Sequence, residues 1–152
     1  MIRNAGLQTL VVDRGRPGLA SLGVSASGAA DRGALARANW AVGNSGTAAV
    51  LELSHGGFEA EALVDVVVAV AGARREILVT GPFGTRSVAM EAPFRVSAGE
   101  VLQLSAPTAG LRSVVALRGG VAAEQVLGSS SRDTLAGLGP VPLRAGYTVS
   151  IA

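Results

Sequence analysis

The sequence has 152 residues and a formal net charge of +2, and it is 49% hydrophobic, 16% charged and 3% aromatic. A chain of that length can bury a core of its own, and one so apolar and weakly charged is not disordered. Its longest charge-free stretches, Pro17–Ala30 and Ala38–Leu51, are interrupted by polar and turn-forming residues, so no membrane span is expected.

In chain order, Leu7–Val12 is an apolar run that stops at the turn-rich Asp13–Gly18, too early for a secretory leader, so a soluble cytoplasmic domain is expected. Asp31–Gly43 is the segment with helical character. Leu35, Ala38 and Val42 share one face, Asp31 suits an N-cap, and Gly43-Asn44 suits a left-handed stop. These signals predict one main helix of about three turns over 31–43. Val50–Leu53 carries Glu52 between apolar neighbours until Gly56-Gly57 breaks the run. Val64–Ala71 is β-branched and nearly continuous, the pattern of a strand covered on both faces. Glu76–Thr80, Arg86–Met90, Val101–Leu104, Leu111–Leu117 and Tyr147–Ile151 complete the predicted strands, and a short helical turn is expected over Val121–Leu127. Short strands separated by Gly, Pro and Ser predict a mainly β fold, a closed or nearly closed barrel or a sandwich, with the helix packed on it.

The missing residue types exclude whole chemistries. All 13 basic residues are Arg, which holds the isoelectric point near 10.4 on a small net charge. They are scattered, apart from Arg14/Arg16 and Arg74/Arg75, and few aromatics are present to stack bases, so no nucleic-acid face is expected. Without Lys there is no phosphate-binding GxxxxGK[ST] loop, Schiff base or Ser-Lys hydrolase. Without Cys there is no thiolate nucleophile or Cys-bound zinc, and a lone His55 cannot build a multi-histidine metal site. A Ser-His-Asp triad needs only one His, but the nearest nucleophile elbow, Gly23-Val24-Ser25-Ala26-Ser27, lacks Gly at its fifth position. A complete active site is not expected from this chain alone, and no metal is expected.

Several clusters remain open to two readings. In Asp13-Arg14-Gly15-Arg16-Pro17-Gly18, guanidinium groups beside Gly can hold a carboxylate or phosphate, while spacing alone favours a self-bonded turn with Arg facing water. Ser25–Asp31 leaves backbone donors ahead of the helix, an anion site unless Asp31 takes them itself. Gly128–Thr134 is either a cleft wall, through its hydroxyls and Arg132, or a solvated connection. His55 is a general base or incidental. Asn39 is expected to bond loops and Trp40 to lie in the core.

The order Gly6-Leu7-Gln8-Thr9, Asp13-x-Gly15-Arg16-x-Gly18, Gly23-Val24-x-x-Ser27-Gly28-Ala29-x-Asp31, Ala38-Asn39-x-x-Val42-Gly43-Asn44 and Leu51-Glu52, followed by Gly119-Gly120 and Gly128-Ser129-x-Ser131, resembles one family across nearly the whole chain. It is the family of the 5-oxoprolinase C subunit, allophanate hydrolase subunit 2 and the carboxyltransferase subdomains A and B. The resemblance implies a cyclophilin-like β-barrel. Because members carry two such halves, 1–152 is expected to be a single cyclophilin-like domain resembling the N-terminal half.

The implied function is that of a non-autonomous subunit of a heteromeric ATP-dependent amide-cleaving enzyme. Implied partners are the sister subunit (the B subunit of 5-oxoprolinase or allophanate hydrolase subunit 1), the A subunit of 5-oxoprolinase, and a separate C-terminal half. ATP is used by the complex and no cofactor is bound by this chain, with biotin taking part only if the complex is of the urea carboxylase type. By position in the motifs, Arg16 is expected to hold a carboxylate or phosphate, and Asp31 to orient loops or polarise an amide N–H. Asp13, Ser27, Asn39, Ser129 and Ser131 are expected to line the substrate cleft. The alternative is a regulatory binding protein whose sister subunit inhibits a sensor kinase.

Overall fold

A computed structural model describes residues 1–152. Its strands are β1 (Ile2–Ala5), β2 (Gln8–Val12), β3 (Val50–Ser54), β4 (Phe58–Glu61), β5 (Val66–Arg74), β6 (Ile77–Gly81), β7 (Gly84–Ser87), β8 (Phe94–Val96), β9 (Val101–Leu104) and β10 (Ala109–Leu117), with one α-helix, α1 (Arg32–Val42). They form two five-stranded sheets in the orders β1-β4-β9-β6-β7 and β2-β3-β10-β5-β8, and every pairing is antiparallel. The fold is mainly β, as expected, with α1 laid on the second sheet.

Alternation along the central strands builds two apolar layers. Val68 and Val70 of β5, with Leu53, Phe58, Ile77, Leu104 and Val115, fill the space between the sheets. Ala69 and Ala71 point the other way, against Ala34, Leu35, Ala38 and Val42 of α1. This strand is therefore covered on both faces, as its unbroken apolar run implied. Alanine on both elements lets the helix sit close to the sheet, and a Cβ at Gly72 would lie 3.6 Å from that of Ala34. Each fully buried Val or Leu of these layers is worth about 1.5–3 kcal/mol in removed apolar surface.

The helix ends where its signals placed them. Asp31 Oδ1 accepts from the Ala34 N–H at 2.8 Å, and Gly43 closes the last turn with φ of 83°. Trp40, expected in the core, is instead 66% exposed and lies against Gly46, because the buried face of the helix runs through Ala34, Leu35, Ala38, Asn39 and Val42.

The other departures are local. No ladder joins the two sheets into a closed barrel. The edge strands β1 and β2 are flanked by irregular chain, with Ile2 bonded to Gly146 and Tyr147, Thr9 to Leu143, and Val11 to Arg132. The strand predicted over Tyr147–Ile151 is thus reduced to a single bridge between Ile151 and Val121. The helical turn predicted over Val121–Leu127 does not form. Val121 is held by that bridge, and Val126 pairs with Ser129 around a turn in which Leu127 and Gly128 take φ of 54° and 77°. The strand predicted at Arg86–Met90 lies earlier, at Gly84–Ser87, closing a hairpin with β6. No helix is long and apolar enough to cross a membrane.

Candidate functional site

Five of the residues singled out from the sequence converge on one buried network. The loop after β2 carries Asp13 and Arg16, and both reach the distant loop 129–131. Asp13 takes that loop's donors. Its Oδ1 accepts from Ser129 Oγ and Ser131 Oγ, both at 2.6 Å, and its Oδ2 accepts from the Ser130 N–H at 2.7 Å. Gly15, whose φ of 85° bends the loop back, adds its N–H to Oδ1 at 2.7 Å. Burial pushes the Asp13 carboxyl up, but these four donors outweigh it and hold the group below the ordinary carboxylate range.

Arg16 takes the acceptors. Its side chain is buried, with the residue 2% exposed. Nη2 donates to Ser131 O at 2.6 Å and Ser129 O at 3.4 Å, and Nε to Val126 O at 3.1 Å. Nη1 donates to Ser27 Oγ at 3.2 Å, which carries the network to the surface. Ser27 sits at φ of 52°, a left-handed conformation stabilised by the crossing of loops 13–16 and 26–28. At Gly28 the backbone of Arg14 approaches within 2.9 Å of where a Cβ would lie, and Gly28 itself has φ of 92°, so no larger residue fits there.

Beyond Ser27 the network opens into a polar cleft of about 250 Å³, lined by Ser25, Ser27, Glu52, Arg112, Arg132 and Asp133 among others. Ser25 Oγ donates to Asp133 Oδ2 at 2.7 Å and lies 3.1 Å from Ser27 Oγ. Asp133 Oδ1 accepts from the N–H groups of Leu135 and Ala136, both at 2.9 Å. The Ala136 N–H and then the Ser25 hydroxyl are the main reasons its carboxyl is pulled down to about 2. At neutral pH Asp133 is therefore an anion and an acceptor, unsuited to donate a proton.

Across the cleft, β3 turns Glu52 toward the α1 face of the sheet, where it is buried. Its Oε1 accepts from the Ala30 N–H at 2.8 Å and its Oε2 pairs with Arg112 Nη1 of β10 at 3.0 Å. The Arg112 side chain makes no other hydrogen bond within the chain, and Arg132, held at Gly137 O and Gly139 O through Nη1, has a buried, unpartnered Nε. The cleft thus sets two guanidinium groups beside two fixed carboxylates, donors and acceptors of the kind that pair with an oxyanion and an N–H.

The remaining candidates lie elsewhere. Asp31 lines a broad open depression with Arg74 and Arg112, so that Arg112 borders both hollows. Asp31 and Glu52 between them take the N–H groups of Ala34 and Ala30, leaving the helix start poorly suited to an anion. Asn39 is fully buried, donating to Ala48 O at 2.9 Å and accepting from Asn44 Nδ2 at 3.1 Å. His55 stands at the far end of β3, its carbonyl accepting from Arg75 Nη1 at 2.7 Å. No group of three His, Asp or Glu residues lies close enough to hold a metal ion.

Glu52, Arg112 and Asp133 do not stand out as site residues in the sequence. A signal for Glu52 is nonetheless present: a carboxylate between Leu51 and Leu53 on an apolar strand is buried and must be paired.

A family model described as the carboxyltransferase domain, subdomain A and B, matches residues 22–152. The chain is 36% identical to the C subunit of 5-oxoprolinase from Escherichia coli (strain K12) over 138 residues, which cover 91% of this chain and 43% of that protein. It is 29% identical to the Haemophilus influenzae protein of the same name over 145 residues, 93% of this chain and 46% of that one. The chain therefore spans less than half the length of these curated relatives. Among solved structures, TTHA0988 superposes with a TM-score of 0.92 at 32% identity over 99% of this chain and 30% of that one. The Kluyveromyces lactis urea amidolyase superposes with a TM-score of 0.79 at 29% identity over 86% of this chain and 8% of that one.

Proposed function

From the premise that this chain belongs to the carboxyltransferase domain subdomain A and B family, we propose that it is a non-autonomous, cytoplasmic subunit of an ATP-dependent amide-cleaving complex of the 5-oxoprolinase type. The observation that carries the proposal is the cleft in which Arg112 and Arg132 stand beside the Asp133 and Glu52 carboxylates. A small cyclic amide with a carboxylate presents the matching groups. Guanidinium donors pair with its carboxylate or with the oxygen that gains negative charge as the carbonyl is attacked. The Asp133 anion accepts the amide N–H and fixes the ring's orientation.

The residues behind the cleft divide by what they touch. Ser27 is the member of the buried network that reaches the substrate. Arg16, Asp13, Ser129 and Ser131 are positioning residues in this reading, holding the wall that carries Ser25, Ser27 and Asp133. Asp31, bordering Arg112 from the other side, orients the helix start and any part of the substrate that extends past the pair, while Asn39 fixes the loop after the helix.

The cleft fits neither ATP nor biotin. Its two carboxylates repel a triphosphate, and its mostly polar lining leaves little apolar surface for a biotin ring and tail. ATP belongs to the partner subunits in this proposal. The enzyme is completed by the sister subunit together with the remaining half of the family fold.

The test is ATP hydrolysis by a complex reconstituted with the sister subunits and the second half, assayed with 5-oxoproline, urea and allophanate in parallel. Stimulation by 5-oxoproline that disappears when this chain is left out supports the proposal. A stable complex with no stimulation by any of the three overturns it and favours a regulatory binding role.

A further inference from the structure

Three guanidinium groups stand at or behind the cleft, and they differ in how much of their charge and donor capacity is already taken. Arg16 is saturated, since its Nε, Nη1 and Nη2 all donate within the chain. Arg112 keeps free donors, but its charge is matched by the Glu52 carboxylate at 3.0 Å. Arg132 also keeps free donors, and none of the chain's ion pairs includes it.

How Arg132 is held decides which of its edges is free. Nη1 donates to the carbonyls of Gly137 and Gly139, at 2.9 and 3.1 Å, and its side chain makes no other hydrogen bond. The loop that brings those carbonyls together is closed by Asp133, whose N–H donates to Leu138 O and whose Oδ1 accepts from the Leu135 and Ala136 N–H groups. Gly139 has φ of 76°, and a Cβ there would lie 2.5 Å from Ser131 O, so the turn requires glycine. Nε and Nη2 are left without a partner, and Nε is buried. Their N–H groups run parallel along one edge of the guanidinium, the arrangement that grips a carboxylate bidentately. A buried donor on a cation is costly to leave unpaired. Asp133, although next in sequence, makes no ion pair with it.

Arg112 suits a different task. Glu52 is buried and fixed at its other oxygen by the Ala30 N–H, so the pair it forms with Arg112 is neutral and rigid. A neutral pair still polarises a carbonyl through its free donors, but it exerts little pull on a second full charge.

We infer that Arg132 is the specificity residue of the cleft. Its Nε–Nη2 edge takes the carboxylate of the substrate, and the Glu52-paired Arg112 faces the amide oxygen. With the proposed function as its premise, this division narrows the substrate class to amides that carry a carboxylate, neutral amides such as urea being poor ligands.

The experiment measures binding to the reconstituted complex without ATP, using 5-oxoproline and its neutral carboxamide, which has the same ring. Wild type is expected to bind the carboxylate about tenfold or more tighter. Arg132→Gln should close that gap by weakening 5-oxoproline alone, and Arg132→Lys should restore part of it. Arg112→Gln should weaken both ligands alike. Equal binding of the two ligands by wild type, a gap that survives Arg132→Gln, or one that Arg112→Gln closes instead overturns the inference. Where the variants fail to assemble, a crystal structure of the wild-type complex with 5-oxoproline decides. A carboxylate about 3 Å from Arg132 Nη2 supports the assignment, and one seated on Arg112 or on another residue overturns it. In each of these failures 5-oxoproline is still bound and the proposed function stands. Absence of 5-oxoproline binding by the wild-type complex sinks both.

Discussion

Asp13 and Arg16 grip one loop from opposite chemical sides, the carboxylate binding the hydroxyls and N–H of residues 129–131 and the guanidinium binding their carbonyls. The two side chains form no ion pair with each other, so each buried charge is satisfied by the uncharged donors or acceptors of the loop it holds. Removing either frees a buried group on the other side of the same three residues.

Arg16→Ala is expected to cost about 3 kcal/mol or more, because Ser131 O and Val126 O lose a charged donor in a buried site. Asp13→Asn is expected to cost about 2 kcal/mol by turning a donor toward the donors of the loop. In urea unfolding, the double variant should be less destabilised than the sum, since the loop is released by either change. Full additivity would show that the two act on separate structures.

Acid should weaken the fold in a defined window. Asp13 and Asp133 both have folded-state values below the ordinary carboxylate value, Asp133 at about 2. Groups of this kind stabilise fully above the unfolded value of about 3.9 and lose that contribution as pH falls through the folded one. Tm should therefore drop between about pH 4 and pH 2, and Asp133→Asn should flatten that slope. An equally steep slope in the variant would assign the loss to other carboxylates.

Two variants at one position separate the roles of Asp31. Asp31→Ala removes the bond to Ala34 N–H and should cost about 1 kcal/mol. Asp31→Asn keeps a good cap and should stay within a few tenths of a kcal/mol of wild type, roughly. If the carboxylate also orients substrate, Asp31→Asn lowers turnover of the assembled complex by about tenfold or more. Unchanged turnover would leave Asp31 as a helix cap alone.

Arg112→Gln bears on the cleft directly. It should raise KM for 5-oxoproline in the assembled complex about tenfold or more, through loss of a charged donor to the substrate. Glu52 keeps its bond to Ala30 N–H, so the fold should survive with a loss of about 2 kcal/mol. An unchanged KM would place the substrate elsewhere.

The close approach of α1 to its sheet gives a fifth expectation. Ala71 is fully buried beneath the helix, and Ala71→Leu should cost about 1–3 kcal/mol by pushing the two apart. A variant as stable as wild type would show slack at that contact.

What the sequence reveals is mostly what is local. The helix is legible because Asp31, the 35/38/42 spacing and Gly43 all lie within one short segment. The strands it does not announce, β1, β4 and β8, are short and carry outward-facing Arg3, Glu59 and Arg95, so their apolar signal is broken. Trp40 misleads because its size suggests burial, whereas the helical face is set by its smaller neighbours. The cleft is only half legible. Asp13, Arg16, Ser27, Ser129 and Ser131 stand out in their motifs, but what they touch depends on pairing across 118 residues. Glu52 and Arg112 meet only because β3 and β10 are neighbours in the sheet.

That long separation also shapes how the protein is made. Asp13 leaves the ribosome well before its partners Ser129 and Ser131, which follow 116 and 118 residues later. At about 5–20 residues per second, the carboxylate waits on the order of 10 s without its buried donors. The loop after β2 therefore cannot settle until residues 129–131 have followed it. The strands between can pair as they appear, and the polar wall of the cleft closes after them.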